Sequence, residues 1–358
     1  MLAAIASGVD KPLEVVDVTR GPLGPDDVVV RIEASGVCHS DLNTLEGLSV
    51  SPGWPVVLGH EACGVVEEVG DNVRSVRRGE RVISTFVPTC GVCGWCLDGQ
   101  THLCRDFAAP SQVRMRTGEG TPVHALRGLG TFAEIMVASE RSVVPVQTDI
   151  PAEQLALIGC AVTTGVCAAL NTAAVRPGSS VAVVGAGGVG QSIIQGARIA
   201  GASSILAIDP SESKRTSALA LGATKVLNPS DGDILERIRE LHPDGVDYSF
   251  ESAGRVDTAQ TAFEVARRGA VVVVVGSAPI GAATPWSLKD LLLSGKTITS
   301  SIFGSAQVRR DFPRLVRLVE SGQLDLAPMV SQTLPLAAVN EGLDAIRRGD
   351  VIRSVLTP

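Results

Sequence analysis

Four of the chain's eight cysteines fall in one short run, Cys90-x-x-Cys93-x-x-Cys96-x7-Cys104. Four thiolates at that spacing can close a tetrahedron around zinc and leave no position open, which defines a structural site. An iron–sulfur cluster is the main rival. The ferredoxin-type run, however, has three residues before its fourth cysteine and then proline, whereas here seven intervene and Arg105 follows. Disulfides are disfavoured, because the start MLAAIASGVDKPLEVVDV lacks a positive leading segment and reads as no signal peptide. A second constellation is scattered: Cys38 in CHSD, His60 in Gly59-His60-Glu61, and Cys160. Two thiolates and an imidazole leave the fourth zinc position for water or substrate, as catalysis requires. Spacing alone does not assemble this set. A lone histidine is more commonly a satisfied structural residue, and a single buried cysteine usually packs inertly.

The third chemical feature is VAVVGAGGVG, with Gly185-x-Gly187-Gly188-Val189-Gly190 between an apolar strand and a helix. Gly185 permits the tight turn, Gly187 lets the backbone approach a pyrophosphate, and Gly190 lets helix and strand pack closely. The helix N-terminus then offers unpaired N–H groups to the phosphates. Asp209 ends a second strand 19 residues after Gly190. It can accept from both adenosine ribose hydroxyls and repels a 2′-phosphate, which favours NAD over NADP. It can also serve as a helix N-cap before Pro210.

These residues need elements to hold them. From Ser180 onward, short apolar runs alternate with helix-period segments. Strands are expected at Val181–Val184, Ile205–Ile208, Lys225–Leu227, Val246–Phe250, Val271–Val275 and Thr297–Phe303. Helices are expected in QSIIQGARIAG, SKRTSALALG and DTAQTAFEVARRG, each closed by glycine. That alternation predicts a doubly wound α/β domain with a parallel sheet. The first ~160 residues read instead as an all-β domain of irregular barrel type, with VVVRIEAS, ACGVVEEVG, ERVIST and SVVPV as strands. The run FPRLVRLVESG reads as one amphipathic helix in the tail.

Composition narrows the partners. With 31 basic and 38 acidic residues, a net charge of −7 and only 3% aromatics, the chain lacks the basic stripe and stacking platforms that grip nucleic acid. The same balance disfavours an anionic membrane surface. No apolar run approaches the ~18–20 residues that span a bilayer, so a cytoplasmic location is expected.

CHSD, GHE, the four-cysteine run, GCAVTTG, GAGGVG, LLLSGK, SIFG and IRSVLTP follow one another along nearly the whole chain. In that order they resemble the zinc-dependent medium-chain alcohol dehydrogenase family. The resemblance implies a GroES-like β-barrel catalytic domain over residues 1–161 and 303–358, and a Rossmann NAD-binding domain over 162–302. It implies two zinc ions per subunit: a catalytic one on Cys38, His60 and Cys160, with Glu61 able to approach it, and a structural one on Cys90, Cys93, Cys96 and Cys104. Asp41 is implied to orient His60, and Ser40 to bind the substrate alcohol and begin its proton relay. Phe86 is implied to line the substrate pocket. Thr164 and Val189 lie against the nicotinamide by the same resemblance, Asp209 and Lys214 hold the adenosine ribose, and His39 and Arg353 touch the pyrophosphate.

The implied activity is reversible NAD-linked oxidation of a primary or secondary alcohol to an aldehyde or ketone. Alternatives on this scaffold are a formaldehyde dehydrogenase acting on an S-(hydroxymethyl)thiol, and a reductase of carbonyl or C=C bonds. Arg114 and Arg116, after the cysteine run, bear on the first of these. One departure stands out: many relatives end the proton relay in a histidine where this chain has Asn43. The run TITSSIFG resembles the edge strand through which family members pair, so a homodimer is expected.

Overall fold

A computed structural model describes residues 1–108 and 113–358. The chain divides into two compact units, the first comprising 1–160, 307–322 and 329–358, and the second comprising 161–306 and 323–328.

The first unit is built of β-structure. Leu2–Ala6, Glu14–Arg20, Met115–Thr117, Pro122–Ala125 and Val56–Val57 form a small closed barrel. Closure removes the exposed edges that would invite other chains. A larger sheet is centred on Asp27–Val37, an eleven-residue strand buried along most of its length. Glu61–Val69 pairs with it antiparallel, with Glu61 opposite Gly36. On its other side lies Ser354–Thr357, with Ser354 opposite Val37, so the C-terminal strand is part of this sheet. The hydrophobic pattern of Val28, Val30 and Ile32 alternates into one core with Val66, Val82 and Met136.

The second unit carries a six-stranded sheet in the spatial order Lys225–Leu227, Ser204–Ile208, Ser180–Val184, Val246–Glu251, Ala266–Val274, Thr297–Ser300. All five pairings are parallel. Taken in chain order the strands run third, second, first, fourth, fifth, sixth, the doubly wound dinucleotide-binding order. Ser180–Val184 is buried at all five positions because helices cover both faces.

Two expectations about local structure fail, each for a tertiary reason. DTAQTAFEVARRG is not one helix closed by Gly269. The helix stops at Val265, and Ala266 already pairs with Val246 as the next strand begins. The final strand ends at Ser300 rather than running through Phe303. Phe303, Gly304 and Ser305 adopt left-handed backbone, with φ of 51°, 67° and 52°. This turn brings Gly304 so close to Thr163 and Cys167 that a Cβ there would collide with both. The tail helix spans Val308–Glu320, starting one turn earlier than the apolar run suggested and holding Pro313 inside it. Among the described residues no single helix is long and apolar enough to cross a membrane.

Candidate functional site

Cys38, His60, Glu61 and Cys160 converge in the first unit, each offering a ligand atom within 4.8 Å of the others. Three chain breaks in regular structure place them. Cys38 follows directly on the central strand and caps the helix His39–Leu45. His60 and Glu61 stand where Glu61–Val69 begins, after Gly59 at φ 89°. A Cβ at Gly59 would run into the Thr131 hydroxyl and the Phe132 ring, so only glycine lets this turn sit against its neighbours. Cys160 ends the short turn Leu157–Gly159 with extended φ.

Asp41, fully buried, ties two of these segments together. Its carboxylate accepts from the Cys38 N–H at 3.0 Å, the Gly59 N–H at 2.9 Å and the His60 Nδ1 at 3.1 Å. Held that way, His60 keeps its proton on Nδ1 and turns Nε2 toward the two thiols, the usual carboxylate–histidine–metal arrangement. Ser84 braces the strand from behind, accepting from the Ala62 N–H at 2.8 Å and donating to the His60 carbonyl at 3.2 Å.

The electrostatics favour a cation at this centre. Cys38 is held well below the ordinary thiol range, first by hydrogen bonding with Cys160, which outweighs burial, and then by Arg353 and His60. Burial would lower His60, but the charge and hydrogen bond of Asp41 prevail and raise it to about 10. Burial pushes Glu61 up to about 8 against the pull of Arg353. Both carboxylate oxygens of Glu61 are buried without a hydrogen bond, although Arg353 Nη2 stands 3.3 Å from Oε1. A buried oxygen left so short of partners beside two thiols and an imidazole fits a divalent metal that it could approach. Two sulfurs and one imidazole nitrogen suit zinc and leave a position open.

Cys90, Cys93, Cys96 and Cys104 form the second donor set, again with ligand atoms within 4.8 Å. Here backbone amides prepare the thiolates. The Cys93 N–H donates to Cys90 Sγ and the Cys90 N–H to Cys104 Sγ, both at 3.3 Å. The amides of Arg105 and Cys96 bring Cys93 down to about 6, while burial raises Cys96 to about 12. Four sulfurs complete a tetrahedron, so this set fits a closed zinc site.

In the second unit the glycine turn leads from Ser180–Val184 into the helix Gly188–Ile199, with Gly187 as its N-cap. A Cβ at Gly190 would strike the Gly185 carbonyl, whereas one at Gly187 would meet nothing within 4 Å. The first glycine is thus demanded by packing, and the second leaves open space at a helix N-terminus, where a phosphate fits. Asp209 is buried, accepting from the Ala186 N–H at 2.7 Å and the Ser211 N–H at 2.8 Å. The N-cap of the following helix is Ser211, so Asp209 does not cap it. The Gln191 amide donates to Ala186 O and Lys214 O, joining the turn to the Lys214 helix. Thr164 is buried and Val189 half-buried in the same unit.

Arg353, Phe86 and Ser40 have roles only through the resemblance, and Phe107 and Arg127 have none. Arg353 is buried against Glu61 and donates to the Val37 carbonyl at 2.8 Å. Phe86 meets His60 edge-on with ring centroids 5.4 Å apart. Phe107 and Arg127, which no motif marks, stand around Phe86 at 6.4 Å and 5.3 Å. Arg114, half-buried, is spoken for by a bidentate pair with Asp27 at 2.6 and 3.1 Å. Arg116 donates to the Gly120 carbonyl at 2.9 Å. Ser40, in the first turn after Cys38, is partly exposed, as is Asn43.

Residues 24–148 match the family described as the alcohol dehydrogenase GroES-like domain, and residues 188–321 match the family described as zinc-binding dehydrogenase. An S-(hydroxymethyl)glutathione dehydrogenase of Photobacterium damsela subsp. piscicida is 39% identical over 365 residues, covering 99% of this chain and 98% of that protein. The structure is similar to that of an alcohol dehydrogenase zinc-binding domain protein from Burkholderia ambifaria, with TM-score 0.94, 33% identity and coverage of 99% and 98%. It is also similar to benzyl alcohol dehydrogenase from Acinetobacter calcoaceticus, with TM-score 0.91, 30% identity and the same coverage.

Proposed function

Because the chain belongs to the zinc-dependent medium-chain alcohol dehydrogenase family, we propose that it oxidises a primary or secondary alcohol to an aldehyde or ketone with NAD, reversibly. The observation that carries this reading is the convergence of two thiols and one oriented imidazole beside the buried Glu61 carboxylate. Cys38, His60 and Cys160 would hold the reactive zinc, with Glu61 beside it, and the four-cysteine run would hold the structural one. Zinc so bound supplies Lewis acidity that brings an alcohol hydroxyl's pKa toward neutrality, and nicotinamide supplies the hydride acceptor.

The chain's own groups do the rest. Ser40 takes the proton that the substrate hydroxyl gives up as the carbinol carbon releases its hydride. Asn43 carries no proton that titrates near neutrality, so the proton from Ser40 leaves by water or another group. Asp41 keeps His60 in one tautomer and one orientation. Gly185, Gly187, Gly188 and Gly190 let the nucleotide's pyrophosphate approach the helix N-terminus. Thr164 and Val189 support the nicotinamide, and His39 and Arg353 contact the pyrophosphate. Asp209 and Lys214 take the adenosine ribose, with the Asp209 carboxylate selecting NAD by repelling a 2′-phosphate.

The free edge of Thr297–Ser300 and the exposed Ile280, Leu288, Leu292 and Leu293 support a homodimer formed through this edge. Sedimentation checks it; a monomer at micromolar concentration overturns it. Oxidation of an S-(hydroxymethyl)thiol is the second reading, favoured by the name of the relative at 39% identity. The deciding experiment pairs elemental analysis with a panel of aliphatic, aryl and allylic alcohols and S-(hydroxymethyl)glutathione. About two zinc per chain and growth of NADH absorbance are expected. Loss of the reading would be signalled by zinc content near one, or by no NADH from any substrate.

A further inference from the structure

Phe86 stands between a candidate metal ligand and a guanidinium cation. One side of its ring meets His60 at 5.4 Å, with the two planes 89° apart. The guanidinium carbon of Arg127 lies over the same ring, 5.3 Å from its centroid. Arg127 holds left-handed backbone, φ 57° and ψ 20°, inside the turn Leu126–Gly128. A residue with a Cβ enters that region only at a cost, and such costs concentrate where a side chain must be aimed. The turn is closed by the Leu129 and Gly130 N–H groups, which donate to the Leu126 carbonyl at 2.9 and 3.2 Å.

Arg127 also differs from three other arginines of this unit. Arg81 is paired with Glu33, Arg114 with Asp27, and Arg353 with Glu61. Among the described residues the Arg127 guanidinium has no ion pair and no hydrogen bond, and the side chain is exposed. Stacked on an aromatic face, a guanidinium keeps its N–H edges free, and that fork matches a carboxylate in a bidentate way.

We propose that Arg127 is a specificity-determining residue that selects alcohols bearing a carboxylate across an apolar or aryl body from the hydroxyl. This deepens the alcohol-oxidation reading and rests on it. The hydroxyl end belongs at the Cys38–His60–Cys160 set, the body lies along Phe86, and the carboxylate pairs with Arg127. The carboxylate could belong to a simple hydroxy acid or to the peptide part of a hydroxymethyl thiol adduct, and two substrate pairs separate these sources. One pair is para-(hydroxymethyl)benzoate and its methyl ester. The other is S-(hydroxymethyl)glutathione and the hydroxymethyl adduct of β-mercaptoethanol.

The zinc-loaded enzyme should prefer the anionic member of at least one pair by about tenfold or more in kcat/KM, the scale of one charge-assisted hydrogen-bonded pair. Arg127→Leu, whose Cβ meets the same left-handed backbone, should carry that ratio to near unity through KM. Arg127→Lys should retain part of the preference. Para-toluate, titrated calorimetrically into the zinc-loaded protein, should bind roughly tenfold more weakly to the leucine variant. An unchanged ratio, equal losses on both members, or unchanged toluate binding overturns the role of Arg127. If simple alcohols are oxidised but neither pair is, the role of Arg127 is overturned; if no alcohol of any kind yields NADH, the alcohol-oxidation reading falls, and toluate binding alone still decides whether Arg127 holds an anion.

Discussion

The two metal-donor sets solve the same coordination problem from opposite directions. The four cysteines lie between Cys90 and Cys104, and their thiolates are prepared by amides of their own loop. The scattered set draws on residues from Cys38 to Cys160, and its thiols and imidazole are prepared by buried charge on Asp41 and Arg353. Backbone amides are fixed dipoles that any tight loop can supply, so a closed site can be written locally. A site that must bind and release a reactant needs an open face and ligands locked by neighbours that do not themselves coordinate. Strands far apart in the chain have to bring those neighbours in.

Removing a ligand from each set gives the largest contrast. His60→Ala should lower turnover by about a thousandfold or more and release about one zinc, with the remaining zinc staying on the cysteine run. Cys104→Ser should release the other zinc and lower the melting temperature, while the protein that stays folded keeps much of its turnover. Elemental analysis, melting curves and NADH assays on both variants check this. Equal activity losses from the two would break the division into a reactive and a structural site. Next in size is Ser40→Ala, expected to cut turnover by roughly 10²–10⁴-fold with zinc content and NAD affinity kept. Near-normal turnover would remove Ser40 from the proton path.

Asp41→Asn tests whether buried charge prepares the scattered set. Its zinc affinity should fall about 10–100-fold in chelator competition, and the cysteine run should hold its zinc as before. Parallel loss from both sites would mean that the variant had loosened the whole unit. The smallest effect is expected away from both metals. Asp209→Ala should weaken NAD about tenfold and narrow the preference over NADP, with zinc content unchanged. An unaltered NAD to NADP ratio by fluorescence titration would take Asp209 out of ribose recognition.

Legibility followed the same contrast. The cysteine run and the glycine turn could be read directly, because each keeps its parts within a few residues and its mechanics depend on backbone and spacing. Cys38, His60 and Cys160 became a set only through resemblance, since nothing in their separation says that Gly59 and the turn before Cys160 would deliver them to one point. Arg127 and Ser84 carried no signal, for an arginine in a loop and a serine ending a strand are ordinary until Phe86 and His60 lie beside them. The misplaced helix end at Gly269 has a similar origin. Local periodicity favoured continuation, and pairing of Ala266 with Val246 ended it.

By itself, then, the sequence determined the closed cysteine site, the nucleotide turn and the alternation that makes a parallel sheet. These depend on steric freedom, donor type and hydrophobic period, all encoded over short spans. Tertiary structure alone decided that three distant ligands share one buried centre, that Arg114 is consumed by Asp27, and that Arg127 is left facing an aromatic wall. Those outcomes depend on which strands become neighbours and which charges find partners, and pairing between distant segments leaves little trace in local composition.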